Sequence, residues 1–81
     1  MKIPRDLSAD ELIKLLKKKY NYEITRQTGS HIRLTTNQKG EHHITIPRHN
    51  FLKIGTLNNI LSDIAVRLEK EKQDLIKELF E

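Results

Sequence analysis

His31 and Arg33 lie two positions apart in the sequence and suit proton transfer next to a phosphate group. In an extended strand, residues i and i+2 point to the same face of the sheet. Histidine populates its neutral and protonated forms near neutral pH, and arginine binds phosphate through its guanidinium group. The pair is therefore a candidate for acid–base chemistry, although a single strand histidine is more often solvated or hydrogen-bonded than catalytic.

The other polar residues near this pair leave several interpretations open. Ser30 could position a phosphate or simply begin the strand. His42 and His43 are adjacent, so on a strand they point to opposite faces and make a poor pair of metal ligands. We expect His43 on an open face of the sheet and His42 in a loop or at an edge. With no cysteine, no Gly-rich phosphate loop and no zinc-ligand spacing, we predict neither a metal nor a cofactor.

Length and composition exclude several classes of protein. The chain has 81 residues, enough for one small domain, and fifteen Lys and Arg against eleven Asp and Glu give a net charge of +4. A basic surface suggests a polyanionic partner. The absence of cysteine argues against a secreted disulfide scaffold. No apolar run approaches the roughly 20 residues of a membrane span, and the first residues lack a signal peptide's apolar segment. We therefore expect a cytoplasmic domain with no membrane association.

The first helix is predicted from its capping residues. Ser8 and Glu11 have the spacing of a capping box, in which each side chain binds a backbone N–H of the first turn. An apolar stripe with helical periodicity follows, and Asn21 can adopt the left-handed conformation that ends a helix. We predict a helix over about residues 8–19.

After this helix the apolar periodicity changes from about 3.6 to 2, which indicates strands. Three short antiparallel strands are predicted over residues 22–27, 31–35 and 43–46. A tight turn at Thr28-Gly29 joins the first two strands, because glycine tolerates positive φ. Pro47 lacks a backbone N–H and ends the third strand.

Alternation along the strands predicts one apolar face, which the helices cover, and one polar face that is open to water. Arg26 alternates with Thr25 and Gln27 and is therefore expected on the covered face. The residues expected on the open face are Glu23, Thr25, Gln27, His31, Arg33, Thr35, His43 and Thr45.

The C-terminal third of the chain is predicted to be helical. Gly55-Thr56 opens a second helix with Thr56 as its N-cap, and an apolar stripe runs from Leu57 to Leu68. The stripe lapses after Leu68 and resumes over residues 75–80. We favour a break there and a third helix that packs back onto the domain; a continuous rod, or an apolar partner surface on the last helix, are the alternatives. The predicted fold class is α+β, in the order α-β-β-β-α with a possible extra C-terminal helix.

Three motifs in this order resemble the HicA toxin family, also called the YcfA-like family. They are Gly29-Ser30-His31, Ile46-Pro47-Arg48-His49, and Leu52-x-x-Gly55-Thr56-Leu57-x-x-Ile60-Leu61. The resemblance extends over about residues 7–65. It implies a fold like the double-stranded-RNA-binding domain (dsRBD), an endoribonuclease activity on mRNA, and inhibition by a HicB-like antitoxin. The family's catalytic histidine maps to His31, and the position after it, often a second histidine, is Ile32 here.

From the resemblance we expect a single domain over 1–81, with a core over about 7–66 and a helical extension over 69–81. The free protein is expected to be a monomer, and the antitoxin to cover the face that carries His31. His31 would act as general base or acid. The residues expected to hold RNA are Ser30, Arg33, Lys39 and Arg48. The structural residues of the motifs are Gly29, Pro47, His49, Gly55 and Thr56. A non-catalytic RNA-binding module of the same fold, and an adaptor that binds protein or DNA, are the alternatives.

Overall fold

One antiparallel sheet and three helices make up the protein in a computed structural model that describes residues 3–81. Along the chain the elements are α1 (Ala9–Tyr20), β1 (Glu23–Thr28), β2 (His31–Thr36), β3 (His42–Pro47), α2 (Ile54–Arg67) and α3 (Lys72–Phe80). The strands lie in the order β1-β2-β3. The predicted α+β class and the separate third helix are confirmed. Met1 and Lys2, the first residues of the predicted 1–81 domain, lie outside the described residues.

Helix α1 begins as the sequence predicts. The Glu11 backbone N–H donates to Ser8 Oγ at 3.1 Å, and the Ser8 N–H donates to Glu11 Oε1 at 3.0 Å. Hydrogen bonding of the Glu11 carboxylate to Ser8, first to its backbone N–H and then to its side chain, holds the pKa of Glu11 below its usual value. At the other end Asn21 adopts the left-handed conformation, with φ of 59°. The capping residues thus define both ends of the helix.

The apolar core lies between the sheet and the helices. The buried side chains of β2 and β3 face the helices and alternate with exposed or half-buried residues, as predicted for a sheet covered on one side. Helix α3 packs back onto this core through Leu75, Ile76 and Leu79, which are all buried. The prediction that the last helix packs on its own domain is therefore confirmed. In the part of the chain from residue 3 onward, no helix has the length and apolar character to cross a membrane.

Strand β1 contains a β-bulge that the sequence prediction missed. Its pairing with β2 shifts between Ile24 and Arg26, so Thr25 is the extra residue. A bulge places two residues opposite one and reverses the facing of everything after it. Gln27 consequently lies opposite the buried Ile32, while Arg26 moves to the open face. The predicted faces of Gln27 and Arg26 were wrong for this reason.

Helix α2 also begins earlier than predicted. The Leu57 N–H donates to the Lys53 carbonyl at 2.9 Å, and Lys53 has an extended backbone, so Lys53 is the N-cap. The prediction of Thr56 as N-cap was wrong because Gly55 and Thr56 are already inside the first turn. The predicted break at Leu68 is confirmed.

The turn that ends α2 is a Schellman motif. The Lys70 N–H donates to the Ala65 carbonyl at 2.9 Å, and the Glu69 N–H donates to the Val66 carbonyl at 3.2 Å. Glu69 occupies the left-handed position, with φ of 56°, where glycine is the usual residue. The backbone therefore turns from α2 towards α3 at a residue whose side chain disfavours that conformation.

Candidate active site

A shallow depression on the open face of the sheet surrounds His31. It has a volume of about 310 Å³ and is lined by Arg26, Thr28, His31, Arg33 and Thr45. All three strands contribute, because Thr28 pairs with His31 across β1–β2 and Thr45 pairs with Arg33 across β2–β3. The predicted juxtaposition of His31 and Arg33 is thus part of a larger constellation.

Two local features of the backbone position these side chains. The loop between β1 and β2 consists of Gly29 and Ser30, one residue later than the predicted Thr28–Gly29 turn, because Thr28 still pairs with His31. Gly29 has φ of +56°, which glycine adopts without steric cost. This tight loop places His31 at the first position of β2. The bulge at Thr25 then brings Arg26 opposite Arg33. Without that extra residue, the alternation would direct the Arg26 side chain towards the helices.

The depression is basic and lined without a carboxylate. Its lining contains two guanidinium groups, one imidazole and two hydroxyls. Within residues 3–81, neither Arg26 nor Arg33 forms an ion pair, and the His31 ring has no hydrogen-bond partner. Two unpaired guanidinium groups can hold a phosphate, and the free imidazole can exchange a proton with a bound molecule.

A chain of hydrogen bonds crosses the open face further along the sheet. Thr25 Oγ1 lies 2.9 Å from Thr35 Oγ1, which lies 2.7 Å from His43 Nδ1, and His43 Nε2 lies 2.7 Å from Glu41 Oε2. His43 is on the open face as predicted. Its register position, opposite Thr35, is four residues from that of His31, or about 13 Å along the strands. His43 is therefore too far away to act on the same bond as His31.

His42 lies on the opposite face and joins β3 to α2. Its Nδ1 is 2.8 Å from the Tyr22 hydroxyl, and its Nε2 is 3.4 Å from Asp63 Oδ2. Burial, with a smaller contribution from the Asp63 charge, raises the pKa of Tyr22 to about 12. The Tyr22 hydroxyl and the Asp63 carboxylate thus contact opposite nitrogens of the His42 ring. His42 is in the edge strand β3 rather than in a loop, and its contacts are structural.

The predicted RNA-binding residues divide between the two ends of the sheet. Ser30 and Arg48 lie at the same end as His31, because the Arg48 N–H donates to the Ser30 carbonyl at 2.6 Å. The Arg48 side chain is exposed, with its Nε 3.6 Å from Asp10 Oδ1.

Lys39 follows the far end of β2, which is about 17 Å along the strand from His31. It lines a depression with Tyr20 and Lys70, on the helix side of the sheet. Lys39 is therefore not brought together with the other candidates.

The structural motif residues connect this end of the sheet to the helices. Pro47 is the last residue of β3 and pairs with His31. The His49 carbonyl accepts a hydrogen bond from the Ala9 N–H at 3.0 Å, so the motif is attached to the start of α1. Gly55 and Thr56 lie in the first turn of α2.

Sequence reasoning missed two of the lining residues: Thr28, which was predicted in the turn but is the last residue of β1, and Arg26. Regular alternation placed it among the covered residues, and local sequence gives no direct sign of a bulge at Thr25. The arginine itself is a signal, because burying a guanidinium group on an apolar face without a partner costs free energy. Its presence at position 26 argues against regular alternation along β1. Outside this site, a larger depression of about 450 Å³ near Asn21 and Asn37 contains no histidine. Among residues 3–81, no cluster of three or more His, Asp or Glu residues is arranged to hold a metal ion.

The chain matches the model of a known protein family. The model of the family described as "HicA toxin of bacterial toxin-antitoxin" matches residues 9–66, which span α1, the whole sheet and all but the last residue of α2. The match includes His31 and every other residue that lines the depression. No curated protein and no solved structure matches the chain significantly.

Proposed function

We propose, from the membership of this chain in the HicA toxin family of bacterial toxin–antitoxin systems, that it is an endoribonuclease. His31 would be its catalytic residue, and the cleavage of mRNA would need no metal ion. The observation that carries the proposal is the position of His31 between Arg26, Thr28 and Arg33 in an open depression without carboxylates. The family is generally one of ribonucleases, and a polyanionic substrate suits the net charge of +4.

Each lining residue has a chemical part in the proposed reaction. The neutral His31 imidazole takes the proton of the ribose 2′-hydroxyl, whose oxygen attacks the adjacent phosphorus. The bond from phosphorus to the 5′ oxygen breaks, and that oxygen takes a proton from solvent. Arg26 and Arg33 offset the negative charge that grows on the phosphate oxygens. The products are a 2′,3′-cyclic phosphate and a 5′-hydroxyl end.

The remaining predicted contacts extend the substrate path. Ser30 and Arg48 adjoin His31 and would bind the phosphates next to the cleaved bond. Lys39 lies beyond the far end of β2, next to Tyr20 and Lys70 on the helix side, and would bind RNA only where the RNA strand leaves the open face. We therefore propose that the substrate lies at the end of the sheet that carries the Gly29–Ser30 turn.

A cognate antitoxin is the partner that family membership implies. We propose a HicB-like antitoxin that covers the His31 face, since blocking the basic depression is the simplest way to prevent RNA cleavage. Acidic side chains on the antitoxin would complement the unpaired Arg26 and Arg33. RNA and antitoxin would then compete, and adding antitoxin would displace bound RNA.

The decisive experiment compares cleavage of a long RNA in EDTA by the native protein, His31→Ala and His43→Ala. We expect His31→Ala to lower the cleavage rate by roughly 10²- to 10⁴-fold, the usual contribution of general acid–base catalysis. His43→Ala is the matched control, because His43 is on the same face about 13 Å away. Equal cleavage by the native protein and His31→Ala would overturn the assignment of His31.

An RNA-binding module without catalysis is the second candidate. The observation in its favour is that no side chain among residues 3–81 hydrogen-bonds to His31 and orients its ring, whereas catalytic histidines usually have an orienting partner. If this candidate is right, the native protein binds RNA with a salt-dependent affinity and releases no cleavage products.

A further inference from the structure

Phe51 differs from every other aromatic residue of the chain in its exposure. Tyr20 and Tyr22 are buried and Phe80 is partly buried, whereas Phe51 is 66% exposed. It lies between the end of β3 and the start of α2. The chain therefore presents one aromatic ring to solvent, and it does so in the segment that follows the candidate active site.

This ring lines a groove next to His31. The groove has a volume of about 310 Å³ and is formed by Pro47, His49, Phe51, Leu52, Lys53 and Thr56. Pro47 connects it to the active site, because the same proline is the cross-strand partner of His31. A polymer bound at His31 can therefore pass over Pro47 into the groove.

The segment that carries Phe51 is held in place by the backbone of the first helix region. The Ala9 N–H donates to the His49 carbonyl at 3.0 Å, and the Leu52 N–H donates to the Leu7 carbonyl at 2.8 Å. Leu52 is itself buried in the core. Phe51 is thus presented outward from an anchored backbone, so a ligand that stacks on it has little ordering entropy to overcome.

We propose that Phe51 forms a stacking site for one base of single-stranded RNA, next to the bond that His31 acts on; the identity of the ligand rests on the proposed function. Stacking on an aromatic ring accepts any base, since every base has a flat π-face. A groove of this size admits a single base rather than a duplex.

The charges around the ring favour RNA over a protein partner. Lys53 lines the groove, the lining contains no carboxylate, and Arg48, whose Nε lies 3.6 Å from Asp10 Oδ1, adjoins it. Cationic groups beside an exposed aromatic ring form the usual arrangement for binding single-stranded nucleic acid, in which the cations follow the phosphates and the ring receives a base.

A tryptophan reporter tests the stacking directly, because the chain contains no tryptophan. Phe51→Trp is titrated with a single-stranded 2′-O-methyl RNA decamer, which lacks the attacking hydroxyl and cannot be cleaved. Val66→Trp is the matched control: Val66 is 79% exposed and lies about 18 Å along α2 from Ile54. We expect fluorescence quenching at position 51 only. Equal quenching at both positions, or at neither, would overturn the proposal.

Affinity for the same decamer provides the second readout. We expect Phe51→Ala to weaken binding roughly 5- to 150-fold, the range found for loss of one stacked base, and Phe51→Tyr to bind like the native protein. Unchanged binding by Phe51→Ala contradicts the proposal, as does a loss of antitoxin binding with RNA binding intact. If the native protein binds RNA and Phe51→Trp is quenched but no long RNA is ever cleaved, only the ribonuclease function is disproved, whereas normal cleavage by Phe51→Ala would disprove only the stacking site.

Discussion

Arg26 lies directly opposite Arg33 across the β1–β2 pair, on the open face of the sheet. Like charges directly opposite each other destabilise a strand pair. Within the described residues neither guanidinium has a carboxylate to offset this repulsion. A bound phosphate would supply the missing negative charge, so the arrangement costs stability in the free protein and favours an anionic ligand.

Replacing either arginine tests this relationship. We expect Arg26→Ala and Arg33→Ala each to weaken RNA binding and to make it less dependent on salt. For a single strand, loss of one phosphate contact reduces the slope of log K against log[salt] by about 0.7. The measurement is a salt titration of binding to uncleavable RNA.

Gln27→Ala is the control for this titration, since Gln27 neighbours Arg26 but lies opposite Ile32, on the other side of the strand. It should leave the slope unchanged. If Arg26→Ala and Gln27→Ala gave the same slope, Arg26 would have no part in RNA binding.

The bulge at Thr25 marks the limit of what the sequence predicts here. Capping at Ser8, the break at Leu68 and the alternation of β2 follow from local rules, and all three are confirmed. Arg26 points to the open face because β1 contains one extra residue. A prediction from alternation assumes a constant period of two residues and therefore cannot detect that extra residue. The site was therefore predicted around His31 and Arg33 but without Arg26.

Local sequence rules also cannot predict which residues far apart in the sequence come into contact. Lys39 was grouped with His31 because of its charge, yet β2 separates the two. The contact between Tyr22 and His42, at 2.8 Å, joins residues twenty positions apart and depends on how the helices pack on the sheet. Periodicity identifies which residues are buried but not which of them meet.

A histidine at position 32 is expected to disrupt the core rather than add to the site. Ile32 is 2% exposed and faces the helices, on the side of β2 opposite His31. Ile32→His would bury an imidazole without a hydrogen-bond partner, which costs about 2–3 kcal/mol. Urea denaturation should show this loss, with no gain in RNA cleavage. Ile32→Val, expected to cost about 1 kcal/mol, is the control. Faster cleavage by Ile32→His would show that this position reaches the substrate.

Glycine at position 69 is expected to stabilise the protein. Glu69 adopts φ of 56° in the turn after α2, a conformation that costs a residue with a side chain about 1 kcal/mol or more relative to glycine. Glu69→Gly should therefore raise the melting temperature by about 4–8 °C. Glu69→Ala is the control: it removes the same charge and keeps the strain, so it should not raise the melting temperature. Equal stabilisation by both would attribute the effect to charge.

Glu78 is expected to make the attachment of α3 dependent on pH. Its carboxylate accepts hydrogen bonds from Lys70 Nζ at 2.8 Å and from the Tyr20 hydroxyl at 2.6 Å. These two hydrogen bonds, the one from Lys70 first, hold the pKa of Glu78 below its usual value of 4.5. A lowered pKa means that the unfolded chain binds the proton more tightly, so the stabilisation is present above about pH 4.5 and disappears as pH falls through the folded pKa.

Glu78→Gln should therefore lower the free energy of unfolding at pH 7 but not near pH 2. Because Glu78 is 43% exposed, we expect a difference of at most about 1 kcal/mol. Thermal unfolding of both proteins across this pH range measures it. Glu23→Gln removes the same charge from β1, where the carboxylate has no ion-pair partner within residues 3–81, and should show no such dependence. A difference between native and Glu78→Gln that stayed constant with pH would mean that the Glu78 charge does not hold α3 to α1.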